Sequence, residues 1–183
     1  MFDAFKVKAE AVSAEVHRLS TKDAVLDFIF VFLKQEGVAE TPQSYALWAD
    51  SPFLQGLDKR QLSEAVPGLK FEVTRELAAD SKIGISQMDW ALANTGTIVQ
   101  DSTSVEQRLV STLPQIHIAL IATDRILPDL PDLLAKVDPG ESGYLAMITG
   151  PSRTSDIERV LTIGVHGPLR LIIVCVDELG GKS

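Results

Sequence analysis

Three features of this 183-residue sequence predict an α/β fold in which helices cover both faces of a mostly parallel sheet. From residue 69 onward, short apolar segments typical of strands alternate with amphipathic segments typical of helices. Several apolar segments, above all Leu171–Val176, contain almost no polar residue, which indicates strands buried on both faces. Apolar residues make up 45% of the chain and charged residues 23%, as in ordinary folded proteins. Strands separated by helices in this way usually lie parallel in one sheet.

Two helices are predicted at the start of the chain, before the alternating pattern. The first covers Phe2–Leu19, because its apolar residues recur at helical spacing. The second begins after the capping residue Thr21 and ends at Gly37, and its apolar middle indicates burial on more than one side. We therefore expect residues 1–37 to form a helical extension that packs on the sheet of a single domain, residues 1–183.

Short stretches bounded by glycine, proline or capping residues predict the remaining elements. The predicted strands are Tyr45–Ala49, Leu69–Thr74, Ile83–Ile85, Thr97–Val99, His117–Ala122, Tyr144–Thr149 and Leu169–Val176. The predicted helices are Asp58–Ala65, Arg75–Asp80, Gln87–Ala93, Val105–Leu113, Leu127–Val137 and Ser152–Arg159.

Net charge, apolar runs and cysteine count limit the classes of function. The formal net charge of −8 disfavours binding to nucleic acid or to anionic membrane surfaces, because their phosphate groups are repelled. The longest apolar runs are too short to span a bilayer, and we find no secretory signal pattern. The single cysteine, Cys175, excludes an internal disulfide and cannot supply the four thiolates that an iron–sulfur cluster usually needs. We therefore expect a cytoplasmic protein without a metal or redox cofactor of its own.

A glycine, several hydroxyl residues and an arginine follow one predicted strand. Gly150 allows a sharp turn, and backbone N–H groups at the start of the next helix attract anions. Arg153 could add a forked donor to a carboxylate or a phosphate. Equally, Arg153 could pair with its acidic neighbour Asp156 or Glu158 in a simple capped helix. The candidate ligand-binding residues of this loop are Gly150, Ser152, Arg153, Thr154 and Asp156.

A second candidate loop is the turn Asn94–Thr97, which precedes a strand. Its backbone N–H groups and two hydroxyls could approach a ligand, and the alternative is an ordinary turn with Gly96 at an unusual dihedral angle. The candidate ligand-binding residues here are Asn94, Thr95, Gly96 and Thr97.

A third candidate loop carries a histidine between two small residues. Gly164 and Gly167 leave the imidazole of His166 accessible, and an imidazole suits proton transfer near neutral pH. His166 is therefore the candidate catalytic residue, and all three residues are candidates for ligand binding. His117 lies in a predicted strand, where a histidine is more often a hydrogen-bonded structural group. Ligands of open α/β sheets commonly bind beyond the carboxyl ends of the strands, so we expect the three loops to meet there and form a small positive pocket.

Four stretches of the sequence occur together in a recognisable order, namely Met88–Thr97, Leu113–Ile118, Gly150–Glu158 and Gly164–Pro168. In this order they resemble the LutC/YkgG family of lactate-utilisation proteins, whose domain is called LUD. The similarity covers about residues 82–177, and its last two stretches are the most specific. The resemblance implies a three-layer α/β/α fold with a Rossmann-like sheet, similar to the NagB/RpiA/CoA-transferase group.

The resemblance also implies a subunit that oxidises L-lactate to pyruvate together with iron–sulfur partner proteins. In this family a glutamate commonly precedes Thr-Gly-Thr, whereas this chain has Asn94, and an asparagine cannot take a proton or act as a carboxylate nucleophile. We therefore expect an accessory subunit that binds a small carboxylate or phosphorylated ligand through Arg153. The alternatives are a stand-alone enzyme acting on a phosphorylated sugar or a CoA ester, and a non-catalytic scaffold. A homo-oligomer is a further option.

Overall fold

The computed structural model describes residues 1–138, 140, 142–154, 162–163 and 167–179. Within these ranges the helices are α1 Phe2–Ala11, α2 Lys22–Gln35, α3 Lys59–Ala65, α4 Arg75–Ala79, α5 Val105–Thr112 and α6 Leu130–Leu134. The strands are β1 Glu15–Leu19, β2 Tyr45–Trp48, β3 Leu69–Lys70, β4 Ser81–Gln87, β5 Trp90–Leu92, β6 Thr97–Asp101, β7 Ile116–Ala122, β8 Ile126–Leu127, β9 Leu145–Ile148, β10 Arg153–Thr154, β11 Thr162–Ile163 and β12 Arg170–Val176. Among these helices, none has both the length and the apolar content that a bilayer crossing requires.

A six-stranded sheet forms the centre of the fold, with the strand order β1-β12-β7-β4-β2-β3. Every pair of neighbours in it is parallel. The central strands β7 and β12 are almost entirely buried. Their continuous apolar runs are what a strand covered on both faces requires, so the predicted parallel sheet is confirmed.

Apolar residues of β12 divide between two separate cores, one on each face of the parallel sheet. Along β12, alternate side chains point to opposite faces, as the period of a strand requires. Ile172 packs with Ile29 of α2 in the first core, whereas Ile173 packs with Phe5 of α1 in the second. All four side chains are fully buried. Helix α2 therefore covers one face, while α1 and a second sheet cover the other.

The second sheet has the strand order β8-β5-β6-β9 and packs on the same face as α1. Strands β5 and β6 form an antiparallel hairpin in which Trp90 pairs with Val99. The helix predicted over Gln87–Ala93 is therefore wrong. Hairpin pairing is favoured here because it buries Ala91 and Ile98 completely against the parallel sheet.

The N-terminal segment differs from the single helix predicted over Phe2–Leu19. Helix α1 ends after Ala11, where Ser13 adopts a left-handed conformation with φ of 71° and the Ala14 N–H donates to the Ala9 carbonyl oxygen. The chain then continues as β1, which pairs with β12 along its whole length. Residues 1–37 therefore contribute an edge strand to the sheet as well as two helices.

Helix α2 has its predicted bounds, but its complete burial is confined to the face of Val25, Ile29 and Leu33. Val31 on another side is 55% exposed, so the expectation of burial on more than one side is wrong. The Thr21 hydroxyl accepts a hydrogen bond from the Ala24 N–H at 3.2 Å, and Gly37 has a φ of 74° after the last turn.

Several other elements are shorter than expected. The predicted helix Leu127–Val137 is reduced to α6, because residues 126–127 pair with β5 and Asp129 caps the helix. The predicted strand Leu69–Thr74 is reduced to two residues.

Candidate functional site

The turn at residues 94–97 connects β5 to β6 and packs against α1. Gly96 has a φ of 69°, and a Cβ atom there would lie 2.3 Å from the backbone nitrogen of Ala9. The Thr97 hydroxyl lies 2.7 Å from the Thr95 hydroxyl and 2.8 Å from the Thr149 hydroxyl. Asn94 and Thr95 are exposed, whereas Gly96 and Thr97 are buried. The glycine is therefore explained by close helix packing and an unusual dihedral angle.

The loop that begins at Gly150 also packs against the segment between α1 and β1. Gly150 has a φ of 75°, and a Cβ atom there would lie 2.3 Å from the Val12 carbonyl oxygen. The Arg153 guanidinium donates through Nη2 to the same Val12 oxygen at 2.6 Å and to the Ser13 hydroxyl at 2.8 Å. Arg153 therefore bonds neutral groups of the N-terminal segment, and its predicted acidic partner Asp156 lies outside the described residues.

Residues 153 and 154 form a strand, so the helix predicted over Ser152–Arg159 does not begin there. Arg153 pairs with Ile163 and Thr154 with Thr162 in the two-stranded antiparallel sheet of β10 and β11. The rest of the predicted helix, residues 155–159, lies outside the described residues, as do Gly164 and His166.

The described parts of the three candidate loops adjoin one another, but at the amino edge of the parallel sheet. The Ser152 N–H donates to the Pro168 carbonyl oxygen at 2.9 Å, and Gly167 lies against the Ser152 side chain. Residues 167–168 directly precede β12. The expectation that these loops meet beyond the carboxyl ends of the strands is therefore wrong, because β12 runs away from them.

An open cleft of about 340 Å³ lies at the opposite edge, beyond the carboxyl ends of β4 and β7. This is the edge where ligands of open α/β sheets commonly bind. Gln87 ends β4, and its side-chain oxygen accepts a hydrogen bond from the Phe53 N–H at 2.8 Å, which ties β4 to the loop after β2. The residues that line the cleft are Pro52, Gln87, Met88, Asp89, Trp90, Asp101, Ala122, Arg125, Val137, Ser142, Leu145 and Leu179.

Two carboxylates in this cleft differ in their surroundings. Asp89 Oδ2 accepts a hydrogen bond from the Asp101 N–H at 2.7 Å. The pKa of Asp89 is raised, chiefly because packed protein atoms remove part of its solvation, although the residue as a whole is solvent-exposed. The pKa of Asp101 is lowered, because its carboxylate accepts hydrogen bonds from the Thr103 hydroxyl and N–H and from the Ser142 hydroxyl. Asp89 is therefore the carboxyl of the cleft that takes up a proton more readily.

Arg125 supplies a positive charge to the same cleft. Its guanidinium carbon lies 4.7 Å from the centre of the Trp90 ring, a cation–π geometry that holds the side chain in place. Among the residues that the structure describes, Arg125 forms no salt bridge within 4 Å and donates no side-chain hydrogen bond. Its donors are therefore available to an anion, in contrast to those of Arg153.

A comparison with known families gives a match over nearly the whole chain. A family model described as the LUD domain matches residues 2–176. The chain belongs to the LUD domain family. The Lactate utilization protein C of an Exiguobacterium species is 40% identical over 114 residues, which are 59% of this chain and 50% of the relative. The protein of the same name from a Geobacillus species is 37% identical over 109 residues, 56% of this chain and 45% of the relative.

These relatives are longer than the LUD domain of this chain, which spans about half the length of the curated relatives it matches. The family resemblance inferred from the motifs is confirmed. A solved structure of a DUF162 family protein from Deinococcus radiodurans aligns with a TM-score of 0.66 at 19% identity, covering 96% of this chain and 95% of that one. The likeness to that structure supports the fold.

Sequence reasoning missed Asp89 and Arg125 of this LUD domain as candidate site residues. Asp89 lies in the stretch Met88–Thr97 that carries the resemblance, and Arg125 follows directly after β7. The sequence carried a signal for both, since they come just after parallel strands, beyond whose carboxyl ends ligands commonly bind. The loop at Gly150 lies elsewhere because β9, which precedes it, belongs to the second sheet.

Cys175 and His117 of the LUD domain are both buried. Burial raises the pKa of the Cys175 thiol to about 12, which keeps it protonated and unreactive, as predicted for a core cysteine. Burial lowers the pKa of His117 to about 4, so its imidazole is neutral at pH 7. Among the described residues, no group of three or more histidine, cysteine or acidic side chains has an arrangement that could hold a metal ion.

Proposed function

We propose that this LUD domain takes part in lactate utilisation by binding a small carboxylate in the cleft at the carboxyl edge of its parallel sheet. The name of its relatives, Lactate utilization protein C, supports a role in lactate utilisation. The observation that carries the site is Arg125, a cation in a cleft of about 340 Å³ with no carboxylate partner within 4 Å in the described parts of the chain. This role replaces the one expected for Arg153.

A three-carbon 2-hydroxy acid or 2-oxo acid matches the chemistry of the cleft. The Arg125 guanidinium forms two parallel hydrogen bonds to the carboxylate, the geometry that a planar fork of donors favours. The Asp89 carboxylate accepts a hydrogen bond from the 2-hydroxyl group of L-lactate. Its raised pKa makes it a better proton acceptor than an ordinary surface aspartate. Trp90 and Met88 offer apolar surface to the methyl group.

Electrons released when lactate becomes pyruvate must leave through a partner or a diffusible cofactor. Oxidation of L-lactate to pyruvate releases two electrons and two protons, and this chain has a single cysteine, Cys175, which is buried. We therefore expect the chain to bind no redox cofactor and the iron–sulfur clusters to reside in partner proteins. A cytoplasmic location and assembly into a homo-oligomer remain predictions.

Calorimetric titration of the purified chain with L-lactate and with pyruvate tests the site. The substitution Arg125→Gln should weaken binding roughly tenfold or more, since a hydrogen bond to a charged group contributes about 1.5–3 kcal/mol. Arg60→Gln is the matched control, because the Arg60 side chain is 87% exposed and pairs with Glu64 on its own helix. Equal affinity in Arg125→Gln and wild type would overturn the cleft as the carboxylate site.

Two further assays separate the accessory role from its alternatives. The purified chain is tested for lactate oxidation with an artificial electron acceptor, and turnover by the chain alone would defeat the accessory role. A tagged chain is also used to recover partners from native extract, where iron–sulfur proteins should be enriched in the presence of lactate. A chain that recovers no such protein and binds no carboxylate would favour the scaffold.

A further inference from the structure

A buried histidine of the parallel sheet has one ring nitrogen without a partner. His117 is completely buried in β7, and its Nε2 lies 2.9 Å from the hydroxyl oxygen of Ser86 on β4. Its Nδ1 has no hydrogen-bond partner among the described residues. Leaving such a polar atom unsatisfied costs about 1–3 kcal/mol, and buried polar atoms in folded proteins nearly always have a partner. The unpartnered nitrogen therefore needs an explanation.

His117 is one of the residues that line a cavity of about 270 Å³ at the amino edge of the sheet. This cavity shares no lining residue with the carboxylate cleft at the opposite edge. It is large enough for a small organic molecule or several waters. The other lining residues are Ser111, Thr112, Met147, Ile148, Thr149, Gly150, Pro151, Ser152, Gly167, Pro168 and Leu171.

Hydroxyl groups line the cavity near the histidine. The hydroxyls of Ser111 and Thr112 both donate to the Arg108 carbonyl oxygen, so their own oxygens keep free lone pairs. The Ser152 hydroxyl forms no hydrogen bond within the described ranges, and Ser152 is only partly buried. A ligand in this cavity therefore meets hydrogen-bonding groups on more than one side.

The charges of the residues that line the cavity indicate which class of ligand it can bind. No aspartate, glutamate, lysine or arginine is among the described residues that line the cavity, and Arg153 directs its Nη2 to Val12 and Ser13 instead. His117 is neutral at pH 7 because burial lowers its pKa. An anion or cation would lose hydration here without gaining an opposite charge. Met147, Ile148 and Leu171 offer apolar contacts to a carbon skeleton.

We propose that this cavity is a second ligand site, which holds a small uncharged molecule through a hydrogen bond between its hydroxyl, carbonyl or amide group and Nδ1 of His117. Ser86 holds the orientation of the imidazole from the other side. This site is independent of the proposed carboxylate cleft, because the two cavities lie at opposite edges of the sheet and bind ligands of different charge.

The test uses three uncharged probes, propionamide, 1,2-propanediol and butanone, with propionate as the charged analogue of the first. Long-range ¹H–¹⁵N spectra of the labelled full chain record the Nδ1 resonance of His117 during each titration. At least one uncharged probe should shift this resonance saturably, and propionate should not. Absence of a saturable shift with all three uncharged probes would overturn the proposal, and so would a shift by propionate alone.

Two substitutions at the same position separate the two ring nitrogens. A glutamine amide reaches the position of Nε2, whereas an asparagine amide lies near that of Nδ1. His117→Gln should therefore keep the bond to Ser86 and lose probe affinity roughly tenfold, the equivalent of one hydrogen bond, whereas His117→Asn should retain more of it. Equal probe affinity in both variants and wild type would contradict the assignment of Nδ1.

A third variant protects the test against poor folding of the His117 variants. Ser152→Phe fills the cavity from its partly exposed side and leaves Ser86 and His117 in place, so it should abolish the saturable shift. Probe binding that survives Ser152→Phe unchanged would place the ligand elsewhere and overturn the proposal. Arg125→Gln serves as the control, since it should weaken lactate binding and leave probe binding unaltered.

Discussion

The hydroxyl of Ser86 and the imidazole of His117 form a hydrogen bond of 2.9 Å between β4 and β7, in a region from which solvent is excluded. Both side chains are completely buried, and the serine is the partner of the histidine among the described residues. In a medium of low polarity such a bond is strong, and each member depends on the other. The pair therefore contributes to stability as well as orienting the ring.

Removal of the serine hydroxyl should destabilise the protein. In Ser86→Ala the histidine loses its Nε2 partner, and an unsatisfied buried polar atom costs about 1–3 kcal/mol. Urea unfolding, followed by circular dichroism, measures the change in the free energy of unfolding. Ser104→Ala is the control, because Ser104 is exposed and its side chain forms no cap bond, so its effect should stay within about 0.5 kcal/mol. Equal stability of the two variants would contradict the importance of the pair.

The buried histidine should also make stability depend on pH. Its pKa falls from an ordinary value of 6.5 to about 4 in the folded protein, so between these pH values the unfolded chain binds more protons. The contribution of the neutral His117 to the free energy of unfolding is therefore fully present above about pH 6.5 and is lost as the pH falls towards 4. Between pH 7 and pH 5 the loss is about 2 kcal/mol. Unfolding of wild type and His117→Gln at both pH values isolates this contribution. A variant that loses as much stability as wild type would argue against it.

Close packing of the 94–97 turn against α1 should make Gly96 difficult to replace. In Gly96→Ala the new Cβ meets backbone atoms of Ala9 at 2.3 Å, which adds roughly 1–3 kcal/mol of overpacking to the cost of a left-handed alanine. Gly56→Ala is the matched control, because Gly56 has a φ of 77° and no atom within 4 Å of its Cβ position. The Gly56→Ala variant should lose only about 1–2 kcal/mol of the free energy of unfolding. Thermal unfolding of both variants gives the difference, which should disappear if α1 does not pack there.

Arg153 should act on stability and have no effect on carboxylate binding. The substitution Arg153→Gln removes the donor to Val12 and Ser13, so the melting temperature should fall. Because Arg153 does not line the cleft that contains Arg125, affinity for L-lactate should remain at the wild-type value. Calorimetric titration and thermal unfolding of the same preparation check both points. A marked loss of lactate affinity would return the anion site to the 150–154 loop.

The sequence predicted the elements whose signals are local. The Thr21 cap and the continuous apolar run of β12 each lie within one segment, and the structure confirms both. The motifs also predicted the family, which the LUD domain match confirms. Patterns within a short window were sufficient in these cases.

Elements that depend on distant pairing were not predicted. Residues of β1 follow helical spacing in the sequence, but they form a strand because β12, more than 150 residues later, offers an edge for pairing. The hairpin of β5 and β6 is likewise stabilised by burial of Ala91 and Ile98 against the parallel sheet. Here a signal existed, since a glycine in a short loop between two apolar segments is typical of a hairpin.

The candidate site was predicted in part only, because its position depends on which sheet each strand joins. Thr97 bonds Thr149, which precedes Gly150. Ser152 contacts Gly167 and Pro168, so parts of neighbouring candidate loops do adjoin one another. A one-dimensional pattern could not assign β9 to the second sheet, and so the loop after it was expected at the wrong edge. Within the described ranges no protein acceptor hydrogen-bonds the Arg125 guanidinium, a spatial fact that no sequence motif records.

Strand β1 can join the parallel sheet only late in synthesis on the ribosome. Strand β1 pairs with β12 and with no other strand in the described part of the sheet, so residues 15–19 have no edge to join until residue 176 has left the exit tunnel. Until then residues 15–19 lack a strand to pair with, and contacts of such long sequence separation form slowly. The nascent chain therefore carries an unpaired strand that depends on chaperones, or on rapid completion, to escape aggregation.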